Sequence, residues 1–141
     1  MPIKFPYKFI PGSKGVTPRP VIPIQIGLDE QSATHGFFAL IDSGADFCIF
    51  SPTVAAEIGI TDITKGPKDY VTGVVAGAKS EYYMHRIVLK VGGWPYAIDV
   101  AFMPAFTNLG YGILGEKGFF EHFIVRLNLR KTEIELKRYD S

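Results

Sequence analysis

Apolar residues alternate with polar ones along much of this chain, and turn residues interrupt each run before it grows long. Val21-Ile22-Pro23-Ile24-Gln25-Ile26-Gly27 reads as a strand, with Pro23 marking an edge or a bulge. Asp29 to His35 is polar and turn-like. Gly36-Phe37-Phe38-Ala39-Leu40-Ile41 is nearly continuous in apolar residues, the pattern of a strand covered on both faces. Phe47 to Phe50 reads as a short strand. Ser51-Pro52 then opens a helix: Ser51 can cap free amides and Pro52 suits the first turn. Val54, Ala55 and Ile58 share one helical face, and Gly59 can end the helix.

Tyr70 to Val75 and Glu81 to Val91 predict two further strands. Val91-Gly92-Gly93-Trp94 has the form of a two-residue hairpin turn. Trp94, Tyr96, Ile98, Val100 and Phe102 alternate as a half-buried strand does. Glu116 to Glu121 is short and helix-like. Phe123, Val125 and Leu127 face Ile134 and Leu136 across a turn at Asn128 to Lys131. Residues 1–19, proline-containing and basic, read as an irregular or extended arm ahead of a single domain at 20–141. The predicted class is all-β with one or two short helices.

Composition narrows the function more than the fold. At 141 residues the chain fits one domain with a real core. A net charge of +1 gives no electrostatic case for nucleic acid or an anionic membrane. No apolar run approaches membrane-spanning length. Met1-Pro2-Ile3-Lys4-Phe5-Pro6-Tyr7 lacks the long apolar core of a signal peptide, which predicts the cytoplasm. The single cysteine, Cys48, lies in the apolar run Phe47-Cys48-Ile49-Phe50 and reads as a buried structural thiol. His35, His85 and His122 have no metal-ligand spacing, so neither metal nor cofactor is expected. A phosphate loop and a serine nucleophile elbow are both missing.

What remains is Asp42. Ala39-Leu40-Ile41-Asp42-Ser43-Gly44-Ala45-Asp46 runs a hydrophobic strand straight into an acid held by a tight turn. A bare Asp-Ser/Thr-Gly arises by chance in about one chain of this length in fifteen, and alone it is often an Asp bonded to its own backbone. The apolar strand before it and the Ile113-Leu114-Gly115 run downstream make the structural reading the weaker one. Two carboxyls brought together hold one proton between them. One can then take a proton from water while the other donates to a carbonyl oxygen. No second Asp-Ser/Thr-Gly occurs, so the matching acid is expected from another copy.

These residues resemble the active-site loop of the retropepsin-like aspartic proteases, and Ile113-Leu114-Gly115 resembles that family's paired hydrophobic–hydrophobic–Gly element. The likeness spans roughly residues 20 to 137, and the Gly118-Phe119-Phe120 pattern is similar to cellular, bacterial-type members. The resemblance implies a closed β-barrel lobe and a homodimer that contributes one Asp42 per subunit. It implies cleavage of a peptide or protein substrate through an activated water. Asp42 would be catalytic, with Ser43, Gly44, Ala45 and Asp46 supporting the loop and Ser43 joining a hydrogen-bond lattice between subunits. Gly73, Val74, Val75, Ala76 and Gly77 would form the flap over the substrate.

Two departures bear on the dimer. Glu116 stands where retroviral members usually place an arginine, so Asp46 must find another partner, Lys117 or Arg126, or be solvated. The N-terminal arm is also longer than in minimal retroviral proteases. Ala45 lacks the hydroxyl that many secreted relatives carry, which implies activity at milder acidity. Two rival readings stay open: a peptide-binding or scaffold module that cleaves nothing, and a monomeric barrel whose Asp42 meets a partner protein's acid.

Overall fold

In the computed structural model, residues 1–72, 79–106 and 110–139 are described. They form β1 (Ile3–Pro6), β2 (Lys8–Gly12), β3 (Gly15–Arg19), β4 (Val21–Gly27), β5 (His35–Ile41) and β6 (Ile49–Phe50). Helix α1 (Pro52–Glu57) and a 3-10 turn (Ile63–Lys65) follow. Next come β7 (Lys68–Thr72), β8 (Lys79–Val91), β9 (Trp94–Phe102), β10 (Gly112–Leu114), β11 (Phe123–Asn128) and β12 (Glu133–Arg138).

The central sheet runs β4-β5-β10-β6-β9-β8, and β4 pairs again with β8 to close a six-stranded barrel. β7 adds to the outer half of β8. Closure explains Pro23. β4 meets β8 only at Gln25, Ile26 and Gly27, so at Pro23 one side of the strand is open and no amide is needed there.

Alternation fills the barrel. Ile22, Ile24 and Ile26 of β4 point inward with Ile87, Leu89 and Val91 of β8 and Ile98, Val100 and Phe102 of β9. Phe50, Phe119 and Phe123 are fully buried in the same core. Each such phenylalanine contributes about 2–3 kcal/mol of burial. A second, smaller cluster gathers Tyr82, Ala101 and Met103 with Phe47, Ile49, Met84 and Phe106.

The local signals hold where chemistry is local. Ser51 caps α1, its hydroxyl accepting from the Val54 amide at 3.4 Å, and Gly59 leaves the helix at φ +103°. Gly92 and Gly93, at φ +57° and +87°, make the two-residue turn between β8 and β9. The C-terminal hairpin pairs β11 with β12.

Three expectations change. Residues 1–19 are extended rather than irregular, and they are tied down as strands. β1 pairs with β12, the Tyr7 amide donates to the Thr132 carbonyl at 2.8 Å, and β2 and β3 close a hairpin through Gly12 and Gly15. Glu116 to Glu121 forms turns, not a helix: Gly118 takes φ +94° and its amide donates to the Glu121 carboxylate at 2.8 Å. The strand expected at Phe47 to Phe50 keeps only Ile49 and Phe50, while Phe47 bridges to Lys117.

Candidate active site

β5 delivers Asp42. The strand is tied on one side to β4 and on the other to β10, in parallel, with Ile113 opposite Leu40 and Leu114 opposite Ile41. The chain beyond Ile41 therefore emerges beside the end of β10. The Asp42 amide donates to the Leu114 carbonyl at 3.0 Å, which fixes the backbone from which the half-buried carboxylate projects.

A tight turn follows. The Gly44 amide donates to Asp42 Oδ1 at 2.9 Å, and the Ala45 amide donates to the Asp42 carbonyl at 3.2 Å. A Cβ on residue 44 would stand 3.2 Å from the same Oδ1, tighter than such contacts ordinarily run. The glycine lets an amide reach the carboxylate, and among the described residues no hydrogen bond engages the other oxygen. Ser43 is exposed at the tip of the turn.

The loop is braced from below by the segment after β10. Glu116 donates its amide to the Ala45 carbonyl at 2.8 Å, and Lys117 donates to the Asp46 carbonyl at 2.9 Å. Gly115 makes this possible, because a Cβ there would lie 2.7 Å from the Ala45 oxygen and closer still to that of Phe47. Gly112 is confined in the same way against the Phe50 ring. The structure thus brings Ile113, Leu114 and Gly115 against the Asp42 loop. The two segments are interlocked by backbone hydrogen bonds.

Asp46 takes the solvated alternative. Its side chain is exposed, and among the described residues no salt bridge joins it to Lys117 or Arg126. Tyr82 feels its charge. Burial first, and then the carboxylates of Asp69 and Asp46, hold the Tyr82 phenol above its ordinary range. The Tyr82 ring packs on Phe47 at 4.9 Å between centroids, so the base of the β7–β8 hairpin rests on the loop that carries Asp42. No local sequence signal marks this link, which depends on a pairing far along the chain.

Cys48 lies beneath the loop. Its thiol contacts the Lys117 carbonyl at 3.5 Å, and burial pushes it from 9.0 up to about 11. A thiol so held stays protonated and unreactive at neutral pH. His85 is placed by the Ile63 carbonyl, 2.7 Å from Nε2, and by an edge contact with Phe102. Among the described residues no group of three His, Cys, Asp or Glu side chains is arranged to hold a metal ion, and no helix is long and apolar enough to cross a membrane. The expected flap residues Gly73, Val74, Val75, Ala76 and Gly77 lie outside the described residues. β7 and β8, which lead into and out of that segment, pair antiparallel from Lys68↔Tyr83 to Thr72↔Lys79.

No family model matches the chain, and no curated protein matches it in sequence. Similar solved structures do exist. The crystal structure of a retropepsin-like aspartic protease from Rickettsia conorii matches over 96% of this chain and 89% of its own. The identity is 18% and the TM-score 0.62. The retroviral protease-like domain of Ddi1 from Leishmania major matches over 85% of this chain and 93% of its own, at 16% identity and a TM-score of 0.55. At such identities the likeness is one of architecture: the chain has the retropepsin-like fold, a closed β-barrel with one short α-helix.

Proposed function

We infer that this chain is one half of an aspartic endopeptidase, and that two copies join to bring their Asp42 carboxyls together. The observation that carries the reading is the setting of Asp42. A half-buried acid at the end of a barrel strand is bonded by its own turn at one oxygen, and its backbone is clamped by Leu114. A purely structural acid of this kind needs no interlocked second loop beneath it. The retropepsin-like fold supports the reading at the level of architecture.

In the assembled pair, the two carboxyls share one proton, since like charges at close range cannot both ionise. The ionised carboxylate takes a proton from a water held between them. The water oxygen attacks the peptide carbon while the protonated carboxyl donates to the carbonyl oxygen. The tetrahedral diol then collapses. Its C–N bond breaks, the amine leaves with a proton, and the pair returns to one shared proton. Ser43, exposed at the turn tip, would bridge to the opposite loop. Substrate would lie extended beneath residues 73–77, bonded as an added strand.

The test is peptide hydrolysis by wild type and Asp42→Asn on a mixed peptide library. The expected result is a loss of at least about a thousandfold with the fold and association state unchanged. Cleavage that survives the substitution removes Asp42 from the reaction. Peptide binding without cleavage by the wild type would favour a scaffold module instead.

A further inference from the structure

Gly36, the second residue of β5, is a glycine that its own backbone does not demand. Its φ is not left-handed, and a Cβ on it would meet nothing within 4 Å. Glycine weakens a strand, and one that no turn requires marks a place where another backbone or a ligand comes close. The space left open is part of a groove of about 420 Å³ between the start of β5 and α1. Phe38, Val54, Phe106 and Tyr111 give it apolar walls, and Glu57 is the one charged side chain among the described residues that line it. Phe38 is 44% exposed, and Lys8 Nζ holds its ring from 4.3 Å above the centroid.

The strand edge along this groove is open. The Ile41 amide donates to the Pro20 carbonyl, so the odd-numbered residues of β5 turn their amides and carbonyls toward β4. The even-numbered residues turn theirs to the other side. There β10 begins opposite Ala39 and reaches back no further than the Phe38 carbonyl. The Phe38 amide and both backbone groups of Gly36 are left without a strand partner among the described residues. β5 carries neither proline nor lysine, the residues that keep an edge from pairing. Gly36 stands six residues before Asp42, about 20 Å along an extended strand, so the groove is separate from the turn that holds the acid.

We propose that the edge at Gly36 and Phe38 docks one extended segment of a partner protein, added to β5 as a strand, with an apolar side chain on Phe38 and a lysine or arginine reaching Glu57. The occupant is a loose segment because α1 forms the far wall of the groove. A single extended chain fits between α1 and β5, whereas the edge of another folded sheet would bring its neighbouring strands into the helix. Charge sets the preferred sequence. Glu57 is exposed, joins no salt bridge among the described residues, and ends a helix whose last turn holds no basic residue. The C-terminal end of a helix favours a cation. About three backbone hydrogen bonds to Gly36 and Phe38 supply affinity, and alternate side chains supply specificity. The docking site goes beyond the proposed hydrolysis and does not rest on it.

Fluorescence titration and amide exchange on the full chain test it, in the Asp42→Asn background so that the proposed hydrolysis does not consume the probe. The probes are short labelled peptides of alternating valine and serine with one arginine at each position in turn. Their twins carry glutamate for arginine, and a third set is N-methylated at alternate amides. The best arginine peptide is expected to bind about tenfold or more tighter than its glutamate twin and its N-methylated form, and to protect the amides of Gly36 and Phe38. Gly36→Val suits a strand and fills the groove, so it should leave the unfolding midpoint no lower and weaken binding about tenfold or more. Glu57→Lys, an exposed change, should reverse the preference between the twins. Failure of every arginine peptide to bind overturns the proposal. So does protection elsewhere in place of Gly36 and Phe38, binding unchanged in Gly36→Val, or a preference that Glu57→Lys leaves as it was. Protection of the same two amides by rising protein concentration alone would assign the edge to a second copy and likewise overturn it.

Discussion

Gly115 sits so close under the Asp42 loop that a methyl group on it would meet the Ala45 carbonyl oxygen at 2.7 Å. The obstacle is backbone, which cannot swing aside as the end of a side chain can. Gly115→Ala is therefore expected to cost about 3 kcal/mol and to loosen the hydrogen bonds from Glu116 and Lys117 into the loop. Denaturant unfolding measures the first effect, and amide exchange at Glu116 and Lys117 the second. An unchanged midpoint with unchanged exchange would show that the two segments are not locked as described.

In the proposed reaction, the acidity of the optimum would depend in part on what residue 45 lacks. A hydroxyl there could donate to the ionised pair and favour the charged form, whereas Ala45 offers none. Peptide hydrolysis should follow a bell-shaped pH profile, since one proton must be present and one absent. Ala45→Ser is expected to move the optimum to lower pH. A wild-type optimum near pH 2, or a profile that Ala45→Ser does not move, would contradict this.

Cys48 gives a second pH dependence, one of stability. Its thiol is raised by burial from 9.0 to about 11, so the folded state holds the proton more tightly than the unfolded state does. The stabilisation is complete below pH 9 and is lost as pH climbs toward 11, in all about 2–3 kcal/mol. Unfolding free energy should fall across that window in wild type and less steeply in Cys48→Ala. At neutral pH the native protein should resist alkylation by iodoacetamide until denaturant exposes the thiol.

Phe119 and Phe120 are adjacent but unequal. Phe119 is fully buried against Phe123, at 5.2 Å between ring centroids, while Phe120 is half-buried. Phe119→Ala should cost about 3–5 kcal/mol and Phe120→Ala clearly less. Thermal or urea unfolding of the two variants decides it, and equal losses would mean that the turns after Gly115 are packed differently.

Much of this architecture could be read from short-range chemistry. The apolar run into Asp42, the Ser51-Pro52 helix start and the Gly92-Gly93 turn each depend on a few neighbouring residues. The association of Ile113-Leu114-Gly115 with Asp42 came from the family resemblance, because a parallel pairing between distant strands leaves no local mark. The same reason hid the pairing of β1 with β12 and the seat of Tyr82 on Phe47. The Glu116–Glu121 expectation failed on one conformational fact. Gly118 adopts a left-handed φ, and the Glu121 side chain takes its amide, so helical bonding is broken at its centre. Pro11 and Pro18 disguised the first hairpin as coil, although they pair across its two strands with Val16 and Phe9.

The amide of Asp42 hangs from Leu114, and the strand that carries it is flanked by one made far later in translation. A ribosome that has finished only the first half of this chain has produced the acid but none of the scaffolding that aims it. Long-range closure of this kind is among the slower steps of folding. The setting of Asp42 is consequently complete only once the chain has been made as far as Leu114.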